Sequence, residues 1–144
     1  MATYACYVYP PLQQISLPKH KTRWLEWIHS DRQVLSALCP PGVTYTIEDW
    51  LQAQAGGYQY CVTYLDGIAA ASGAVWKYSE DAWEVAAIGT PEVNRRKGLA
   101  RSVVCFVTKY VLEQNRKATL TTHINNVGMR ALAESVGYEL TALE

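Results

Sequence analysis

Several common marks are missing from this sequence, and each absence removes a class of protein. No Cys-x-x-Cys pair occurs among its four cysteines, Cys6, Cys39, Cys61 and Cys105, and its three histidines, His20, His29 and His123, do not cluster with them. A zinc site is therefore not expected, and no other metal is implied. No apolar run approaches the length that spans a bilayer. The opening residues, Met1 to Pro11, lack the basic stretch and long apolar segment of a secretory leader. Neither sign of charge is in excess, because Lys plus Arg and Asp plus Glu each number 13. That balance gives no bulk electrostatic reason to expect nucleic acid or an anionic membrane as a partner. Internal repeats, low-complexity tracts and linkers are also missing.

What remains suits one compact domain. A chain of 144 residues, 49% hydrophobic and 18% charged, can bury a core without staples. Cys61 and Cys105 lie in apolar runs and read as small buried hydrophobes, which fits a reducing, cytoplasmic setting.

The pattern along the chain gives an element order. Thr3 to Tyr9 is rich in strand formers and stops at Pro10-Pro11. Lys19 to His29 and Asp31 to Leu38 read as short helices, the second capped by Ser30 or Asp31. Thr46 starts another helix that runs to about Ala55 and ends at Gly56-Gly57. Tyr58 to Leu65, the turn Asp66-Gly67, Ile68 to Tyr78, and Trp83 to Thr90 form a three-stranded meander. A helix from Gly98 to about Gln114 carries Leu99, Val103, Phe106, Tyr110 and Val111 on one face. A strand at Ala118 to His123, a helix at Asn126 to Val136 stopped by Gly137, and a strand at Tyr138 to Leu143 complete the chain. This order predicts an α/β fold: a mixed, mostly antiparallel sheet flanked by helices.

The chemistry concentrates in Ile88 to Ala100. A strand ends, a basic loop follows, and Gly98 opens a helix. The first turn of a helix has free N–H groups and the positive end of the dipole. Gly98 allows close backbone approach, and Arg95, Arg96 and Lys97 add cations. Together they make an anion site suited to a diphosphate. The bland alternative is a helix start with a solvated basic turn. A P-loop is excluded because no Gly-Lys-Ser/Thr ending is present. The dinucleotide fingerprint is excluded because its further glycines and parallel unit are missing.

In this context Arg95-x-x-Gly98-x-Ala100 resembles the pyrophosphate motif of the GNAT superfamily of acetyl-CoA-dependent N-acetyltransferases. Asn126, with Leu132 and Gly137-Tyr138 behind it, resembles that family's second motif. The resemblance covers about Tyr58 to Leu140. It implies a single GNAT-like domain over residues 1–144, with acceptor-side helices in 1–57 and an acetyl-CoA-binding core in 58–144. It also implies acetyl-CoA as co-substrate. The amides of Arg96, Lys97, Gly98, Leu99, Ala100 and Arg101 would hold the pyrophosphate beside Arg95. Ile88, Gly89 and Thr90 would pair with the pantetheine arm, and Asn126 would touch the cofactor. The acceptor would be a small-molecule or peptide amine, and pairing into a homodimer is expected, since relatives often pair.

Glu84 resembles the base glutamate of histone-acetylating members in strand and spacing; its other reading is an exposed strand carboxylate. His123, at the end of the strand beside the cleft, is the alternative base, or a structural histidine. Trp76, Tyr78 and Trp83 are either an acceptor wall or packing. Backbone N–H groups near Ala87 to Gly89 would face the oxyanion. Two departures stand out. Ala133 occupies the position where many relatives have the tyrosine that protonates the leaving thiolate, and little sequence remains for a strand beyond the last one. The first keeps open a rival reading, a CoA-binding sensor or interaction domain without turnover. A nucleotide-phosphate binder unrelated to CoA is the third.

Overall fold

The structure is a computed structural model that describes all residues, 1–144. Its elements are β1 Tyr4–Val8, β2 Thr22–Trp24, α1 His29–Ala37, α2 Ile47–Ala55, β3 Tyr58–Leu65, β4 Ile68–Trp76 and β5 Ala82–Gly89, then α3 Leu99–Glu113, β6 Lys117–His123, α4 Val127–Val136 and β7 Glu139–Leu143. The seven strands form one sheet in the order β2-β3-β4-β5-β6-β1-β7. Every neighbouring pair is antiparallel except β5 and β6. The expected mixed, mostly antiparallel sheet with flanking helices is therefore present.

One sheet face packs on α3, whose Leu99, Val103, Val104, Val107 and Val111 are buried against Cys61, Val75, Val85 and Leu120. The contact is close at Gly73, where a Cβ would run into Val103 Cγ1. Over the opposite face, α1 and α2 close a smaller core of Leu25, Leu35, Trp50 and Val62. In α2 the Thr46 hydroxyl accepts from Asp49 N (3.0 Å) while the Asp49 carboxylate accepts from Thr46 N (2.9 Å), a reciprocal capping box.

Three expectations need correction. Lys19 to His29 is not a helix. Thr22, Arg23 and Trp24 pair with Thr63, Val62 and Cys61, and Trp24 packs on Phe106 and Tyr110 of α3 at 5.0 and 4.8 Å. Long-range pairing here overrides local propensity. Neither Ser30 nor Asp31 caps α1, whose N-cap position is Ile28. The buried Asp31 carboxylate instead takes two hydrogen bonds from Arg23 (2.9 and 3.2 Å) and one from Glu26 N (2.7 Å). Finally, the sheet reaches seven strands without any segment after β7. β2 supplies the unexpected strand, and β1 inserts between β6 and β7, pairing with both.

Candidate active site

β5 and β6 pair only at their starts, Ala82 to Lys117, Trp83 to Ala118 and Glu84 to Thr119. Beyond Glu84 the two strands part, although both continue, to Gly89 and His123. A cleft of about 120 Å³ opens between them, lined by Val85, Ala87, Ile88, Thr121, Asn126 and Met129 among others. A split in a sheet leaves backbone N–H and C=O groups unpaired and free for a ligand.

A bulge shapes the β5 wall. The β4–β5 register runs Val75 to Val85 and Ala74 to Ala86, then jumps to Ser72 opposite Gly89. Ala87 adopts a left-handed φ of 53°. An extra residue reverses the alternation of side chains. Ile88 consequently joins Val85 against the core under α3 instead of sharing a face with Glu84, as simple alternation would have it.

At the far end of β5 a second cavity, about 350 Å³, gathers Thr90, Arg95, Arg96, Ala100 and Arg101 with Gly128 and Leu132 of α4. Gly98 and Leu99 also line it. Gly98 is left-handed, with φ 77°, and Arg96 also, with φ 65°. The first intrahelical bond of α3 runs from Ser102 N to Gly98 O. The amides of Leu99, Ala100 and Arg101 thus have no acceptor inside the helix. Arg95 Nε donates to Thr90 O (3.1 Å), and Arg101 Nη1 donates to Ser135 Oγ on α4 (2.7 Å). Lys97 does not line this cavity. Its carbonyl accepts from His20 Nε2 (2.9 Å), while His20 N donates to Ser102 Oγ (3.1 Å). His20 is the contributor that sequence reasoning missed, since its contact spans 77 residues.

The other residues singled out in the sequence fall as follows. Asn126 lines the cleft and is the N-cap of α4, its Oδ1 accepting from Met129 N (3.1 Å). Its Nδ2 makes no hydrogen bond within the chain. Glu84 is half-buried at the fork where β5 and β6 part, and its Oε1 accepts from the Thr121 hydroxyl (2.9 Å). Burial pushes the Glu84 carboxyl above the ordinary range, and the Thr121 hydrogen bond offsets part of that. Thr121 also lines the cleft, so it links Glu84 to it. His123 is outside the cleft lining: its Nδ1 accepts from Asn125 N (3.2 Å), and its ring meets Tyr4 edge-on at 6.1 Å. Trp76 pairs across from Glu84 and stacks on Tyr58 at 5.5 Å. Tyr78 is hydroxyl-bonded to Thr119 (3.1 Å). Trp83 turns to the other face, stacked on Tyr110 with Lys77 over its ring. Ala133 is fully buried. No group of three or more His, Cys, Asp or Glu could hold a metal, and no helix is long and apolar enough to cross a membrane.

The model of the FR47-like protein family, a GNAT-related family, matches residues 67–144, and the chain belongs to that family. No curated protein matches the chain. Among solved structures it is similar to an acetyltransferase of the GNAT family from Colwellia psychrerythraea, with TM-score 0.71 and 18% identity over 98% of this chain and 53% of that one. A GCN5-related N-acetyltransferase from Kribbella flavida gives TM-score 0.66 and 18% identity, covering 96% of this chain and 54% of that one. The ribosomal-protein-S18-alanine N-acetyltransferase from Escherichia coli gives 0.68 and 18%, covering 85% and 79%. At such identities the likeness concerns the fold. The chain spans just over half the length of the first two.

Proposed function

We propose that the chain is an acetyl-CoA-dependent N-acetyltransferase acting on a primary amine. The observation that carries this reading is the parting of β5 and β6 directly beyond Glu84, with the free amides of α3 at the far end of the same strand. The cradle of Arg95 to Arg101 suits the pyrophosphate. The unpaired edge from Ile88 to Thr90 suits the amide-bearing pantetheine arm, and Asn126 Nδ2 offers one more donor. Residues 58–144 act as the cofactor half and residues 1–57 as the acceptor half of one domain.

In the reaction the amine nitrogen bonds to the thioester carbonyl carbon and the C–S bond breaks, giving an amide and a thiol. Glu84 accepts the amine proton, directly or through water, and its raised pKa suits that task. Backbone N–H groups around the Ala87 bulge stabilise charge on the carbonyl oxygen. With Ala133 in the tyrosine position, solvent reprotonates the thiolate. Two further elements belong to this reading. The four free thiols suit a reducing cytoplasm. The exposed β7, with Leu140 and Leu143 at the surface, suits a symmetric homodimer, which sedimentation at high micromolar concentration tests.

The deciding experiment is thiol release across a panel of primary amines, run beside a CoA titration. Release above the hydrolysis background supports the transferase. Tight CoA binding with no release from any amine transfers the case to the sensor reading, which the absence of a tyrosine at Ala133 favours.

A further inference from the structure

A third cavity sits behind the bulge, on the face of the sheet that α1 and α2 cover. It measures about 210 Å³, and its walls include Leu35, Leu38 and Cys39 at the end of α1, with Tyr45, Tyr60 and Ala87. We propose that this cavity seats the body of the acyl acceptor, and that the preferred acceptor is a primary amine carried on an uncharged apolar or aromatic group, not a polycation.

The inference rests on the transferase reading and adds the substrate class. Ala87 is the one residue that lines both this cavity and the cleft, so a body seated here has its reactive end at the cleft. Glu84 lies three residues earlier on β5, about 10 Å along the strand. No Asp, Glu, Lys, Arg or His is among the lining residues. A polyamine entering here would lose its water and meet no opposite charge, which is costly. The polar side chains that are present, Ser72, Cys39, Tyr45 and Tyr60, are neutral. The Tyr45 and Tyr60 hydroxyls bond each other at 2.7 Å, and burial pushes both phenols up. The walls are stiff, because Tyr60 stacks on Trp50 at 5.9 Å and Tyr45 meets both rings edge-on. The volume is sufficient, since an apolar cavity of about 150 Å³ takes up benzene.

The test compares phenethylamine, butylamine and spermidine on the wild-type chain, Leu38→Asp and Cys39→Phe, reading turnover with acetyl-CoA and with benzoyl-CoA, and amine binding to the CoA-loaded chain. In the wild type, phenethylamine should exceed spermidine in kcat/KM by at least roughly tenfold. Leu38→Asp should lower phenethylamine by about tenfold or more and raise spermidine, with CoA affinity unchanged. Cys39→Phe fills the cavity without adding charge and should exclude phenethylamine more than butylamine. Preference of the wild type for spermidine, or amine selectivity untouched in both folded variants, overturns the proposal. Variants that change the choice between acetyl-CoA and benzoyl-CoA but not among amines assign the cavity to the acyl group and also overturn it. Should no amine be turned over, phenethylamine binding that Leu38→Asp removes upholds the pocket while the transferase reading falls. Absence of binding as well overturns the pocket.

Discussion

On the proposed cofactor side of β5, the cavity is drawn mainly from one short stretch, Thr90 to Arg101, with Gly128 and Leu132 of α4 added, and the donors proposed for the anion are backbone amides. On the proposed acceptor side, the cavity is assembled from residues as far apart as Leu35 and Gly89, and its character comes from side chains. The first kind of site depends on backbone shape: a left-handed glycine, a helix start and a bulge. The second depends on which side chains long-range packing brings together. The two should therefore fail separately, and substitutions can be chosen to show it.

The largest expected effect is at the fork between them. Glu84→Gln should lower kcat by roughly 10²–10⁴-fold and leave CoA affinity nearly unchanged, since the cradle is untouched. The deficit should shrink at high pH, where more of the amine is neutral without help. Wild-type kcat in this variant at pH 7 would remove Glu84 from the mechanism.

Gly98→Asp attacks the cradle alone. The left-handed φ of 77° strains any side chain there, and a carboxylate adds repulsion at the anion site. CoA affinity should fall by more than about tenfold, roughly 1.4 kcal/mol. Amine binding in the acceptor cavity, measured by titration, should persist. A variant that binds CoA like the wild type would show that the phosphate group lies elsewhere.

Asp31→Ala attacks the acceptor side through its scaffold. The Arg23 guanidinium, helped by Glu26 N, holds the Asp31 carboxyl below the usual carboxylate range, against the opposing effect of burial. A depressed folded pKa contributes stability above the unfolded value of about 3.9, and that contribution is lost as pH falls through the folded value. The variant should lose about 2 kcal/mol near neutrality, seen in urea unfolding. Its deficit should narrow in acid. CoA affinity of the folded fraction should hold.

This contrast also explains what could be read in advance. The meander, the long helix and the Gly98 helix start are local patterns, and the expected elements match within a few residues. The residues of the Arg95 motif do gather round one cavity, apart from Lys97. β2 was not legible: Thr22-Arg23-Trp24 becomes a strand only by pairing with Cys61 to Thr63. The role of Asp31 was hidden for a similar reason. An acid at a helix start reads as a cap, and nothing local announces that Arg23 will claim it. The Ala87 bulge could not be read, because a bulge is a mismatch between two strands and belongs to neither sequence alone. The His20 contact with Lys97 and the cavity behind the bulge are products of the same distant packing.

The smallest expected effect is the sharpest probe of the fork. Thr121 stands between the two sides of the comparison, since its hydroxyl bonds Glu84 and it lines the cleft. Burial raises the Glu84 pKa, and the Thr121 hydrogen bond works the other way by favouring the ionised form. Thr121→Val keeps the shape and removes that bond, so the Glu84 pKa should rise further. If ionised Glu84 is the base, the acid limb of the kcat/KM profile should move to higher pH. Activity on the acid side should then fall by up to about tenfold, the scale of one hydrogen bond to a charged group. On the alkaline side, where Glu84 is ionised in both proteins, the two profiles should converge. CoA affinity should not change. An acid limb that stays fixed while activity drops equally at every pH would mean that Thr121 shapes the cleft without tuning Glu84. A limb that moves in Thr121→Val and disappears in Glu84→Gln would assign the titration to this carboxylate.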